Sequence, residues 1–111
     1  MDCLFCKILK QEIPASFVFE DHLCLAFRDI QPQAPTHVLI IPKKHFLNVK
    51  ELEQEDVPLI GHLHMVAKKI AETEGLLAFR LVMNNGAEVG QSVGHLHLHL
   101  LGGRAFGWPP G

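Results

Sequence analysis

The 111-residue chain has no tyrosine, a single tryptophan and only three cysteines. Three thiols cannot pair evenly, so a disulfide scaffold is not expected, and a reducing, cytoplasmic location is. No apolar run approaches the roughly 20 residues that cross a bilayer, and the N-terminus lacks the charged-then-apolar order of a signal peptide. Neither sign of charge dominates, because ten Lys and Arg stand against twelve Asp and Glu, for a formal net charge of -2. That balance argues against gripping nucleic acid through basic charge, so neither nucleic acid nor membrane is an expected partner. Repeats and low-complexity stretches are missing as well. What is left is an ordinary globular composition, of a length that fits one domain over residues 1–111. One residue type is in excess: the chain has eight histidines, three of them at 95, 97 and 99.

The punctuation of the chain predicts an α+β domain. Residues 3–11 read as a short helix closed by Pro14, because proline opposes helix in the residue before it. Runs at 16–20, 23–28 and 36–41 are rich in Val, Ile, Leu or Phe and read as strands, the first two joined in a hairpin at Asp21-His22. From Asp56 to Glu74 the apolar residues Leu59, Ile60, Leu63, Ala67, Ile70 and Ala71 recur at three- and four-residue steps, which predicts a helix with one buried stripe. Asp56 is its expected N-cap and Gly75 its expected stop. Residues 78–83 and 95–101 read as two more strands, and the Gly- and Asn-rich segment between them reads as a loop. About five antiparallel strands, packed with one long and one short helix and covered by helix on one face, is the expected architecture.

His95-Leu-His-Leu-His-Leu alternates strictly. On a strand this sends the three imidazoles to one face, roughly 7 Å apart, and Leu96, Leu98 and Leu100 to the other. A single metal held by all three is geometrically poor, since the outer pair lies roughly 13 Å apart on a strand. The alternative makes the central histidine a nucleophile and its neighbours orienting or substrate-contacting groups. The adjoining GQSVG segment, with its amides and the Ser92 hydroxyl, suits an anion.

These residues resemble the His-x-His-x-His-x-x signature of the histidine triad (HIT) superfamily. AFRDIQPQAPTHVLIIPKKH, LIGHL, MNNG, GQSV, LGGR and WPPG are similar to its Hint branch over nearly the whole chain. The resemblance implies a HIT-like fold and a homodimeric purine nucleoside phosphoramidase or acyl-nucleotidylate hydrolase. In it His97 attacks the α-phosphorus to give a nucleotidyl-histidine, and AMP or GMP is released. It further implies His99 and Ser92 as phosphate contacts, with Asn84, Gly90 and Gln91 at the phosphate rim and His37 behind the nucleophile. Asp29 would take the ribose hydroxyls, and Phe5, Ile8, Phe27 and Ile30 would wall the base. Trp108, in the tail 108–111, would reach the partner subunit's site. Plain core packing is the competing reading for the four apolar residues, Phe27 above all.

Cys3-Leu-Phe-Cys6 departs from the eukaryotic Hint pattern and resembles bacterial members, in which C-x-x-C, a later His and the first triad His bind structural zinc. That implies Cys3, Cys6, His45 and His95 as ligands, with no cofactor needed for catalysis. A redox-inert buried pair is the alternative. Cys24 is expected as a small core residue, and His22, His62 and His64 have no partner that the sequence names. Dinucleoside polyphosphate hydrolysis and a nucleotide-binding regulatory module with incidental turnover remain as alternative functions.

Overall fold

The computed structural model describes residues 3–111, so the first two residues of the expected domain span lie outside the described residues. The elements run α1 (Leu4–Leu9), β1 (Phe17–Glu20), β2 (Cys24–Arg28), β3 (Thr36–Pro42), α2 (Val57–Thr73), β4 (Phe79–Val82) and β5 (Leu98–Gly102). The five strands form one sheet in the order β1-β2-β3-β5-β4, with every neighbouring pair antiparallel. Among the described residues no helix is long and apolar enough to cross a membrane.

α2 buries Leu63, Val66, Ala67, Ile70 and Ala71 against Val38, Ile40, Leu96, Leu98 and Leu100. Its C-terminus closes as a Schellman motif, in which Leu76 N–H bonds the Ala71 carbonyl and Gly75, at φ 72°, supplies the left-handed residue. Asp56 does not cap α2 with its side chain. It sits in a helical conformation at the end of a 3-10 turn, where its carboxylate accepts from the Glu53 N–H and from Lys44 instead.

The second face of the sheet is not bare, as a one-sided helix cover would leave it. α1 lies there, with Phe5 and Ile8 buried among Leu25, Phe27, Leu39 and Ile41. This explains why β2 and β3 read as continuous apolar runs, since both of their faces are covered. α1 is shorter than the expected 3–11 span, and Pro14 does not end it. Gln11 takes the left-handed conformation at φ 62°, and Glu12 N–H returns to the Lys7 carbonyl.

The last strand also starts later than the alternation suggests. β5 pairs with β3 from Leu98 opposite Ile40 to Gly102 opposite Thr36. Extending that register would set residue 96 against Pro42, which has no N–H to donate. The Leu96 N–H bonds the Phe46 carbonyl instead. His95 and His97 therefore precede the ladder, although the leucine and histidine faces persist through them.

Candidate active site

A cavity of about 320 Å³ opens between α1, the β2–β3 connection and the approach to β5. Phe5, Ile8, Phe27 and Leu39 form its apolar side, while Asp29, Ser92, His97 and His99 form its polar side. Phe5 stands edge-on to both Phe27 and His97, with centroids at 5.3 and 5.1 Å. Core packing and wall are thus compatible roles for Phe5, Ile8 and Phe27, which are buried and line the cavity at once. Ile30 lines the mouth and is 92% exposed.

Hydrogen bonds assign the ring nitrogens of His97. Its Nδ1 lies 2.7 Å from the His95 carbonyl, which can only accept, so Nδ1 carries the proton and Nε2 keeps a free lone pair. Burial pushes the His97 pKa below its ordinary 6.5, against the His95 carbonyl and the Asp29 charge, which pull it up. A neutral imidazole with an available Nε2 lone pair therefore lines the cavity.

His37 and His99 are connected with the opposite sense. The Gln33 N–H donates to His37 Nδ1 at 3.0 Å, so His37 carries its proton on Nε2. That Nε2–H points at His99 Nδ1, 2.9 Å away, which must accept. The His99 proton is then on Nε2, a buried atom with no hydrogen-bond partner among the described residues. Burial, reinforced by His97 and His37, pushes the His99 pKa down to about 4. Two residues apart on one face, His97 offers a lone pair and His99 offers a proton. Asp29 lies close by, with Oδ2 3.5 Å from His37 Nε2 and Oδ1 accepting from the Gln31 N–H.

Behind His97 a second cluster gathers Cys3, Cys6, His45 and His95, whose donor atoms all lie within 4.8 Å of one another, close enough to share a metal ion. Cys3 Sγ lies 3.7 Å from His45 Nδ1 and 3.4 Å from His95 Nδ1, and the corresponding Cys6 distances are 3.3 and 3.6 Å. His95 Nε2 donates to the Pro42 carbonyl at 2.9 Å, which leaves Nδ1 unprotonated and turned to the cluster. Burial, with the neighbouring Cys3, pushes the Cys6 thiol up to about 11, so a cation is what would hold it as a thiolate.

Comparison with known proteins places this arrangement. The family model described as scavenger mRNA decapping enzyme C-term binding matches residues 2–105. An uncharacterized HIT-like protein of Synechocystis sp. is 59% identical over 111 residues, covering 99% of this chain and 97% of its own. A HIT family hydrolase structure from Legionella pneumophila superposes with a TM-score of 0.96 at 55% identity, covering 99% of this chain and 100% of that one. A HIT family hydrolase structure from Clostridium thermocellum gives 0.92 at 46% identity, covering 96% and 94%. The chain belongs to the HIT family.

Within this HIT fold the structure separates the residues singled out in the sequence. His97, His99, Ser92, Asp29, Phe5, Ile8, Phe27 and Ile30 share the cavity, and His37 stands behind it. Asn84, Gly90, Gln91 and Trp108 are not among its walls. The Gln91 amide is occupied elsewhere, tying its loop to the segment after β3: Oε1 accepts from the Gly86 N–H, and Nε2 donates to the carbonyls of Leu47 and Val93. Trp108 is 84% exposed. His62, for which the sequence names no partner, has its Nε2 2.6 Å from Asp21 Oδ2. Cys24 is fully buried in the core. Sequence reasoning missed the Gln33 N–H, which is a backbone group and so leaves no mark in residue identity. It also missed Leu39, because a continuous apolar strand does not reveal which side chains face a cavity.

Proposed function

We propose that this HIT protein is a purine nucleoside phosphoramidase or acyl-nucleotidylate hydrolase of the Hint type. The observation that carries the reading is the pairing of a free His97 Nε2 lone pair with an unpartnered His99 N–H in one cavity. The His97 lone pair attacks the α-phosphorus, and the P–N or P–O bond to the leaving group breaks. An amine departs with a proton drawn from solvent as that bond lengthens, and the water that attacks in the second step returns a proton to solvent. Water then attacks the nucleotidyl-histidine, the His97–phosphorus bond breaks, and AMP or GMP leaves with His97 restored. The His99 Nε2–H and the Ser92 hydroxyl bond the phosphoryl oxygens as their charge grows. Asp29 takes the ribose hydroxyls as a charged acceptor, the apolar wall holds the purine, and Asn84, Gly90 and Gln91 shape the phosphate loop.

The cysteine–histidine cluster is read as a structural zinc site. A tetrahedral ion with Zn–S near 2.3 Å and Zn–N near 2.0 Å sets S···N edges of about 3.5 Å and an N···N edge of about 3.3 Å. The S···N distances of 3.3 to 3.7 Å and the His45–His95 distance of 3.0 Å fit those edges. All four positions are then filled by protein, so the ion supplies fixation of α1 and not catalysis. Exposed Trp108, and Phe79 on the edge strand β4, support a homodimer in which the tail meets the partner subunit. Free cysteines fit a cytoplasmic setting.

Incubating the protein with adenosine 5′-phosphoramidate and following AMP release tests the reading. Release by the wild type, with a loss of about 1,000-fold or more in His97→Ala, is the expected result. AMP binding without any release would leave a nucleotide-binding module in its place.

A further inference from the structure

The polarity of the His37–His99 pair is set by the N–H of one residue, Gln33, and the carbonyl of that same residue, in the next peptide group, is held from the other end of the chain. The Gln33 N–H donates to His37 Nδ1, while the Gln33 carbonyl accepts from Arg104 Nε at 2.9 Å. Arg104 is itself fixed. Its Nη1 donates to the Ala105 carbonyl at 2.8 Å, and its guanidinium stacks 4.1 Å from the centroid of Phe106. Arg80 covers the same ring at 5.0 Å and donates to the Gly107 carbonyl. Next to Arg104, Gly103 takes φ 94° and lies so near Pro35 that a Cβ there would come within 2.9 Å of the Pro35 Cβ. The segment after β5 is therefore packed on the β2–β3 connection on both sides of Ala34.

We propose that Arg104 is a positioning residue that, by holding the Gln33 carbonyl, aims the Gln33 N–H at His37 and so fixes His99 as a donor through Nε2. The reason lies in the alternatives open to two coupled imidazoles. With the Gln33 N–H on His37 Nδ1, protons can sit only on His37 Nε2 and His99 Nε2. Without it the pair can reverse, His99 donating from Nδ1 to His37 and turning a lone pair toward the cavity. A lone pair facing a phosphoryl oxygen repels where an N–H would bond, so one misaligned peptide inverts the sign of a contact. The same wiring keeps a metal ion out of the Asp29, His37 and His99 group, although their donor atoms also lie within 4.8 Å of one another, because His37 Nε2 bears a proton.

The part of this proposal that concerns phosphate rests on the function proposed above, whereas the tautomers do not. Protein labelled with ¹⁵N-histidine is therefore recorded first without ligand, where long-range ¹H–¹⁵N spectra report which ring nitrogen is protonated. The wild type is expected to show Nε2–H at both His37 and His99. Arg104→Met is expected to show mixed tautomers at those two residues and an unchanged Nδ1–H at His97, with AMP affinity weakened by roughly 5- to 20-fold. Arg104→Lys keeps a donor for the Gln33 carbonyl and restores most of both. Gln33→Pro deletes the amide with Arg104 in place and must reproduce the tautomer shift, which keeps the test open should Arg104→Met fold poorly. An Nδ1–H at His99 in the wild type, or unaltered tautomers in both variants, overturns the proposal. If the tautomers shift as expected but the wild type binds no AMP, the wiring stands and the nucleotide reading falls.

Discussion

Two histidine clusters lie back to back in this molecule, and they differ in which ring nitrogen the backbone has already engaged. At His95 a carbonyl, that of Pro42, takes the Nε2 proton and leaves Nδ1 bare among two sulfurs and another imidazole. At His37 an N–H, that of Gln33, takes the Nδ1 lone pair and leaves Nε2 protonated against His99. The same side chain thus becomes a ligand in one place and a proton donor in the other. The tautomer of each ring follows from a backbone group of opposite polarity and not from burial, since both rings are buried. His97 links the two clusters, since it is held by the carbonyl of His95 and lies with His99 on the cavity wall.

The largest effect should come from breaking the cluster behind His97. Cys6→Ser, or chelation of the wild type, should drop bound zinc from one per chain toward zero and lower the melting temperature by roughly 10 °C or more. Nucleotide affinity should fall with it, because α1 carries Cys6 between Phe5 and Ile8. Metal analysis, thermal unfolding and hydrogen exchange on α1 check this together. Metal-free protein that keeps both its melting temperature and its α1 protection would remove the contrast between the two clusters.

Acid probes the cavity side of the comparison. Burial holds the His99 pKa near 4 and keeps His37 and His97 below 6.5. Between about pH 4 and the unfolded value of 6.5 the unfolded chain binds more protons than the folded one at His99. The stability that His99 contributes is therefore complete above 6.5 and is lost as pH falls through about 4. The acid limb of kcat/KM is expected below the 6.5 of an ordinary imidazole, because burial lowers the His97 and His37 pKa values. A limb at 6.5, with His99 titrating there by NMR, would mean that the ring is hydrated and ordinary.

Much of this was legible in the sequence because alternation converts directly into faces. The histidines and leucines of residues 95–100 sort to opposite sides of the sheet by period two alone, and the α2 stripe sorts by period 3.6 in the same way. What residue identity could not reveal is everything that depends on backbone partners. The ladder stops at Leu98 because Pro42 would face residue 96, α1 stops at a left-handed Gln11, and the tautomers follow from Pro42 and Gln33. The Asp21–His62 contact was illegible for a related reason, since it joins a hairpin to a helix 41 residues later and no local period marks it.

That contact supplies the smallest effect and the sharpest control. Asp21, Cys24 and His62 also bring three candidate donors within 4.8 Å, yet they are arranged unlike the zinc-type cluster. His62 Nε2 lies 2.6 Å from Asp21 Oδ2, a hydrogen-bond distance and well short of the roughly 3.4 Å that separates two ligands of one tetrahedral ion. Although burial pulls the other way, the N–H groups of Leu23 and Cys24 and the His62 ring hold the Asp21 carboxyl well below the usual carboxylate range. Burial and the Asp21 charge push the Cys24 thiol up to about 12, so it stays protonated. The group is a clasp between the β1–β2 hairpin and α2. His62→Ala should therefore leave zinc content and turnover unchanged and cost about 1 kcal/mol or less, as partly exposed pairs do. A fall in bound metal in that variant would show that proximity of donors alone, without the right backbone partner, is enough to make an imidazole a ligand here.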